Sequence, residues 1–121
     1  MTGGQRGLGQ AFVRELLDRG AGTVYAAVRN PKLSRDPRIV PVTLGVTDAA
    51  SVRAVADLAG DVSIVINNAG VGGSGPLLQA DIDDIRTVFE TNMFGAVRVA
   101  RVFAPALARK GGERWSTSTR R

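Results

Sequence analysis

The sequence predicts an α/β domain, a parallel β-sheet with helices on its faces. Two observations predict it. Short apolar runs recur along the chain at Thr23–Val28, Ile39–Leu44 and Val62–Ile66. They alternate with segments whose apolar residues return at helical spacing. Strands that read as continuous apolar runs are buried on both faces, and parallel sheets are the ones covered in that way.

The elements follow in order. Thr2–Gly9 is a glycine-rich opening. Leu8–Arg19 reads as a helix, because Leu8, Phe12 and Leu16 recur every four residues with Val13 and Leu17 beside them. Gly20 and Gly22 end it. Thr23–Val28 is a buried strand, broken by Asn30-Pro31, and Pro31–Arg38 is a polar loop. Ile39–Leu44 is a second strand. Its Pro41 has no N–H to give a ladder, which places this strand at an edge. Thr47 or Asp48 caps a helix over Ala49–Ala59, closed by Gly60. Val62–Ile66 is a third strand, and Asn67–Pro76 is a glycine-rich loop. A long helix is expected from Asp81 to Leu107, with Ile82, Ile85, Phe89, Met93, Ala96 and Ala100 on a drifting apolar face. Pro105 is expected to kink or loosen its last turn. One feature is unusual for such folds: the glycine-rich opening stands where a first strand is normally complete, and only Met1 precedes it.

With 121 residues the chain suits one small domain. An apolar content of 44% excludes a disordered protein. The net charge of +5 is unevenly placed. Residues 1–108 hold 11 basic and 10 acidic side chains, whereas Arg109, Lys110, Arg114, Arg120 and Arg121 face only Glu113. The expected division is therefore a domain over 1–112 and an irregular basic tail over 113–121. No aromatic stacking set accompanies that tail, so a nucleic-acid partner is not expected. The sequence has no Cys and no His, which excludes a Cys- or His-ligated metal site and any disulfide. No apolar run approaches the ~18–20 residues needed to span a bilayer, and no signal-peptide pattern follows Met1. A cytoplasmic protein with no membrane partner is expected.

Three motifs carry chemistry. Thr2-Gly3-Gly4-Gln5-Arg6-Gly7-Leu8-Gly9 fits T-G-x-x-x-G-x-G. Its glycines allow a tight turn and close approach of backbone to a pyrophosphate, and the helix that follows offers free N–H groups and its positive dipole end. Asn67-Asn68-Ala69-Gly70 follows the third strand, and ligands of open α/β sheets sit outside the carboxyl ends of strands. Thr91-Asn92-Met93-Phe94-Gly95 lies inside the long helix, where Asn is mildly unfavourable and Gly costs about 1 kcal/mol relative to Ala.

In that order the three motifs resemble the short-chain dehydrogenase/reductase family, over nearly all of residues 2–112. The resemblance implies a Rossmann-like, doubly wound sheet that binds NAD or NADP, here truncated, with the first strand and the C-terminal half missing. It implies that Gly3, Gly7, Leu8 and Gly9 line the pyrophosphate, that Asn68, Ala69 and Gly70 line the ribose side, and that Asn92 is the helix Asn that orders a catalytic lysine through water. It also implies a small-molecule carbonyl or alcohol substrate, and homo-oligomers for an intact relative.

Charge decides the expected cofactor. NAD-binding relatives hold the ribose hydroxyls with an acid at the end of the second strand. Here Ala27-Val28-Arg29-Asn30 offers no carboxylate, while Arg29 and Arg6 present guanidinium forks suited to a 2′-phosphate. NADP(H) is expected over NAD(H). The sequence departs from the family elsewhere: Gly45 stands where an adenine-contacting Asp is common, and neither the catalytic Ser nor a Tyr-x-x-x-Lys pair is found. The sole tyrosine, Tyr25, lies in a strand and is followed four residues later by Arg29. Ser74 stands in a glycine loop with no base expected nearby, and Ser116 and Ser118 stand in the tail. Three readings stand side by side: an oxidoreductase represented by a catalytically incomplete fragment, a non-catalytic NADP(H)-binding module, and a non-functional remnant.

The genetic code gives the tail a second reading. Shifted back by one nucleotide, codons for the segment from Lys110 onward can spell G-G-G-A-V-V-N-V-N-S-S, which resembles the apolar strand ending in Ser that follows this helix in the family. Met1 likewise fits a GTG codon taken as a start, with a first strand encoded just upstream. Sequencing the flanking DNA checks this: an immediate stop in the shifted frame, or no Tyr-x-x-x-Lys soon after, sinks it.

Overall fold

The computed structural model describes residues 1–110 and the strand Trp115–Thr117. In chain order the elements are α1 (Gly7–Asp18), β1 (Val24–Val28), β2 (Ile39–Thr43), α2 (Ala49–Leu58), β3 (Val65–Asn67), a short 3₁₀ turn (Leu77–Gln79), α3 (Ile82–Phe89), a π turn (Glu90–Phe94), α4 (Gly95–Arg109) and β4 (Trp115–Thr117). β1 pairs in parallel with β2, and β3 with β4. As Pro41 requires, β2 is an edge strand: among the described residues it pairs only with β1.

Met1–Gly3 join the two strand pairs. On one side Ala27 N–H donates to the Met1 carbonyl (2.9 Å) and Gly3 N–H to the Ala27 carbonyl (2.7 Å). On the other, Thr2 N–H donates to the Ile66 carbonyl (3.0 Å). Three residues thus bridge β1 and β3. Next to Met1 the two strands diverge around a cavity of about 370 Å³ lined by Leu16, Thr23, Tyr25, Val62, Ile64 and Ile66.

The strand side chains alternate between two apolar layers. Val24, with partly buried Ile39, packs on Val13 and Leu17 of α1. Ala27, Val42 and Val65 pack on Val52 and Val55 of α2 and on Val99, Phe103 and Leu107 of α4. Helices therefore cover both faces of the sheet. Asp48 caps α2, its carboxylate accepting from the N–H groups of Ala50 (3.0 Å) and Ser51 (3.3 Å).

Two expectations are corrected. The long helix does not carry one drifting stripe: Ile82, Phe89 and Met93 are exposed, and the buried stripe of α4 is Gly95, Val99, Phe103, Ala106 and Leu107. Upstream, α3 buries none of its residues, and downstream the π turn shifts the buried face. It inserts one residue into the hydrogen-bond ladder and turns the downstream face by about 100°. The tail is not irregular throughout, because Trp115–Thr117 pair with β3. A strand edge offers N–H and C=O groups that pair with extended backbone whatever its side chains. Residues 111–114 and 118–121, including Ser118 and the rest of the tail, lie outside the described residues.

A pH effect follows from the first residue. The Met1 ammonium donates to the Tyr25 carbonyl (2.8 Å), yet burial lowers its pKa from 8.0 to about 6. The unfolded chain then binds more protons at this amine than the folded chain between those values, so the amine costs no stability above pH 8 and progressively more as the pH drops toward 6. A polypeptide of these 121 residues should lose about 2–3 kcal/mol across that window. Urea melts at several pH values check this, and acetylating the amine should flatten the profile. A loss that persists after acetylation contradicts the assignment.

Candidate functional site

The site is built where the three motifs meet. Gly3 takes φ +67°, a left-handed conformation that glycine adopts without strain, and turns the chain from the sheet toward α1. Gly9, in the first turn of α1, lies directly under this loop, and a Cβ there would run into the Gly3 carbonyl and approach Asn68 Nδ2 to 2.7 Å. α1 begins with Arg6 as N-cap, without a side-chain cap and with no acid in its first turn. Its opening N–H groups and positive end are thus left for an anion.

Thr2 ties the first motif to the second. Its buried Oγ1 accepts from Asn68 N–H (2.9 Å) and Ala69 N–H (2.9 Å). Asn68 Nδ2 also donates to the Gly3 carbonyl at 3.4 Å. The third motif reaches the second through Asn92. Val71 N–H donates to Asn92 Oδ1 (2.8 Å), and Asn92 Nδ2 donates to the Val71 carbonyl (2.8 Å). A carboxamide that pairs with both groups of one residue fixes that stretch of loop in place. Arg98 holds the third wall: it donates to the Val46 carbonyl (2.7 Å) and to Glu90 Oε1 (2.7 Å), linking the loop after β2 to the π turn.

These contacts enclose a cavity of about 480 Å³ at the carboxyl ends of β1, β2 and β3. Of the residues expected from sequence, Gly3, Arg6, Gly7, Arg29, Asn68, Ala69 and Gly70 line it. Leu8 and Gly9 do not: Leu8 is half-exposed on α1, and Gly9 is buried as packing beneath the loop. Asn92 is not in the lining either, though its neighbour Thr91 is. Sequence reasoning missed Thr2 and Arg98 as clasps, and Thr47 as a lining residue. The Thr of T-G-x-x-x-G-x-G was the available signal for the first, and nothing in the sequence marks the other two.

The charge of the cavity is one-sided. Arg6 and Arg29 line it, and among the described residues no Asp or Glu does. Among the described residues neither arginine belongs to an ion pair. Gly45 also lines the cavity, and a Cβ there would meet nothing nearer than the Asp48 Cβ at 3.8 Å.

The hydroxyl groups are placed differently. Tyr25 Oη donates to Asp61 Oδ1 (2.9 Å), which raises its pKa, and the residue lines the cavity beside Met1 rather than this one. The expectation of no base near Ser74 is corrected: its Oγ donates to the Asp84 carboxylate at 2.6 Å. The loop over residues 68–76 folds toward the start of α3, a proximity that no local pattern encodes. The pair does not line the 480 Å³ cavity. Among the described residues no group of His, Cys, Asp and Glu is arranged to hold a metal ion, and no helix is long and apolar enough to cross a membrane.

The short chain dehydrogenase family model matches residues 1–114. The chain belongs to the short chain dehydrogenase family. A family relative, 1-deoxy-11-beta-hydroxypentalenate dehydrogenase of Streptomyces arenae, is 36% identical over 92% of this chain and 44% of its own length. A short chain dehydrogenase from Burkholderia cenocepacia, solved in complex with NADP, is 42% identical with a TM-score of 0.84, over 92% of this chain and 47% of that one. A family member from Burkholderia phymatum, solved in complex with NAD, is 27% identical with a TM-score of 0.81, over 97% and 46%. The fold is therefore the Rossmann-like sheet of the short chain dehydrogenases, and the chain spans less than half the length of these relatives.

Proposed function

We propose that this chain is the NADP(H)-binding part of a short chain dehydrogenase acting on a small-molecule carbonyl or alcohol, and that by itself it is catalytically incomplete. The observation that carries the cofactor reading is the cavity with two arginines and no carboxylate. The solved family relatives include an NADP complex and an NAD complex, so family membership leaves the choice to local charge. A 2′-phosphate favours guanidinium forks, and ribose hydroxyls favour an acid.

The residues present fit a dinucleotide. The bare backbone of Gly7, at φ +49° with open space around it, and the N-terminus of α1 receive the pyrophosphate. Asn68, Ala69 and Gly70 border the ribose on the nicotinamide side. Arg6 and Arg29 take the phosphorylated ribose. A bound nicotinamide would supply hydride transfer to or from the substrate carbon. Proton transfer to or from the substrate oxygen calls for a proton donor or acceptor positioned in the same cavity, and the titratable residues of its described lining are Arg6 and Arg29 alone. Tyr25 has a raised pKa and stands at the other cavity, and Ser74 is bonded to Asp84. Asn92, through Val71, acts as a positioning residue for the loop that follows Gly70.

Calorimetry with NADPH and NADH tests both halves of this reading, coupled to absorbance assays across alcohols and ketones. NADPH should bind at least tenfold tighter, with no turnover above the enzyme-free rate. Equal or tighter NADH binding refutes the cofactor assignment, and turnover that survives purification refutes the incompleteness.

A further inference from the structure

Gln5 stands inside the glycine-rich loop, between Gly4 and Arg6. Its carboxamide makes two hydrogen bonds to one residue 27 positions away: Nε2 donates to the Lys32 carbonyl (2.6 Å), and Lys32 N–H donates to Oε1 (2.8 Å). Both polar groups of Gln5 are thereby committed to the loop that leaves β1. Lys32 comes three residues after Arg29, and Pro31 between them has a fixed φ. The clamp thus ties the immediate neighbour of Arg6 to a short, stiff stretch that begins at Arg29. Those are the two cations of the cavity, and both are solvent-exposed.

We propose that Gln5 is a positioning residue for cofactor selectivity: by clamping Lys32 it sets the separation of Arg6 and Arg29 at which the pair grips a phosphorylated ribose. The inference rests on the NADP(H) reading. The physical reason is pre-organisation. Long, exposed arginine side chains lose rotamer freedom when they chelate an anion, and fixing their backbones beforehand reduces what remains to be lost. Gln5 does this without contacting the ligand, since it is not in the cavity lining. The clamp matters little to the fold as a whole, because it is exposed and links two surface loops.

Gln5→Met keeps the length of the side chain and removes both hydrogen bonds, while Gln5→Asn keeps the amide and cannot reach Lys32. In the full chain each should weaken NADPH binding about tenfold, measured by calorimetry, and shift NADH binding less than twofold. In an Arg29→Ala background, Gln5→Met should have no further effect on the NADPH to NADH ratio, since a positioning role vanishes with the group it positions. Circular dichroism melts report whether the variants fold. An equal loss for both dinucleotides, an unchanged ratio, or an effect that persists without Arg29 overturns the role of Gln5. An unmodified chain that binds NADH as tightly as NADPH overturns the NADP(H) reading itself and removes the ground for this role.

Discussion

Gly9→Ala should lower the stability of the chain by about 3 kcal/mol or more, toward the upper end of what overpacking a site costs. The added methyl would be driven into the Gly3 carbonyl oxygen and toward Asn68 Nδ2, and the first of these is backbone that cannot rotate away. Relief requires α1 to move off the sheet, which opens the contact of Val13 and Leu17 with Val24. Set against the ~5–15 kcal/mol that holds a typical domain together, this is a large share. Urea denaturation of the two chains measures it, and the same substitution at Gly7 supplies the contrast. Gly7 also has a positive φ, but a Cβ there meets nothing within 4 Å. Gly7→Ala should therefore cost only the backbone penalty, roughly 1 kcal/mol. Similar losses at both positions would show that the close approach at Gly9 is not what requires glycine.

The second large effect is expected at Thr2. Thr2→Val preserves shape and removes the acceptor shared by Asn68 N–H and Ala69 N–H. A buried N–H deprived of its acceptor costs about 1–3 kcal/mol; the Asn68 N–H is buried and the Ala69 N–H partly so, and a loss of about 3 kcal/mol is expected. Thr2→Ser keeps the hydroxyl and should cost about 1 kcal/mol, for one lost methyl group. Because the hydroxyl also fixes the N-N-A-G segment against the glycine loop, Thr2→Val should weaken dinucleotide binding even where the chain remains folded. Chemical melts and calorimetry on the two variants check this. A valine variant as stable as the serine variant would mean that the two N–H groups find other partners.

Much of the fold was legible because its signals are local. The apolar runs, the Pro41 edge and the Asp48 cap each depend on a few neighbouring residues, and each stands where the sequence places it, to within a residue or so for most elements. The third strand is shorter than its apolar run: Val62–Ile64 lie outside the ladder, beside the cavity next to Met1. The long helix misled for the opposite reason. Periodicity assumes one uniform ladder, and the π turn at Glu90–Phe94 breaks that assumption in mid-helix.

The candidate site divides in the same way. The sequence by itself determined the fold class, the glycine loop, the N-N-A-G segment, and the absence of an acid after β1. These are choices of residue type, and glycine, asparagine and arginine carry their chemistry with them. Only the tertiary structure decided what those residues do to one another. It made Gly9 a packing position and Gly7 an open one. It gave the Thr2 hydroxyl two amides from a segment more than sixty residues away, set Asn92 on Val71, and joined Gln5 to Lys32. It also put a regular strand within a tail whose residues as translated read as irregular. The reason is physical: hydrogen bonds and close approaches between distant segments depend on distance and direction, which the packing of the helices on the sheet sets and no short stretch of sequence contains.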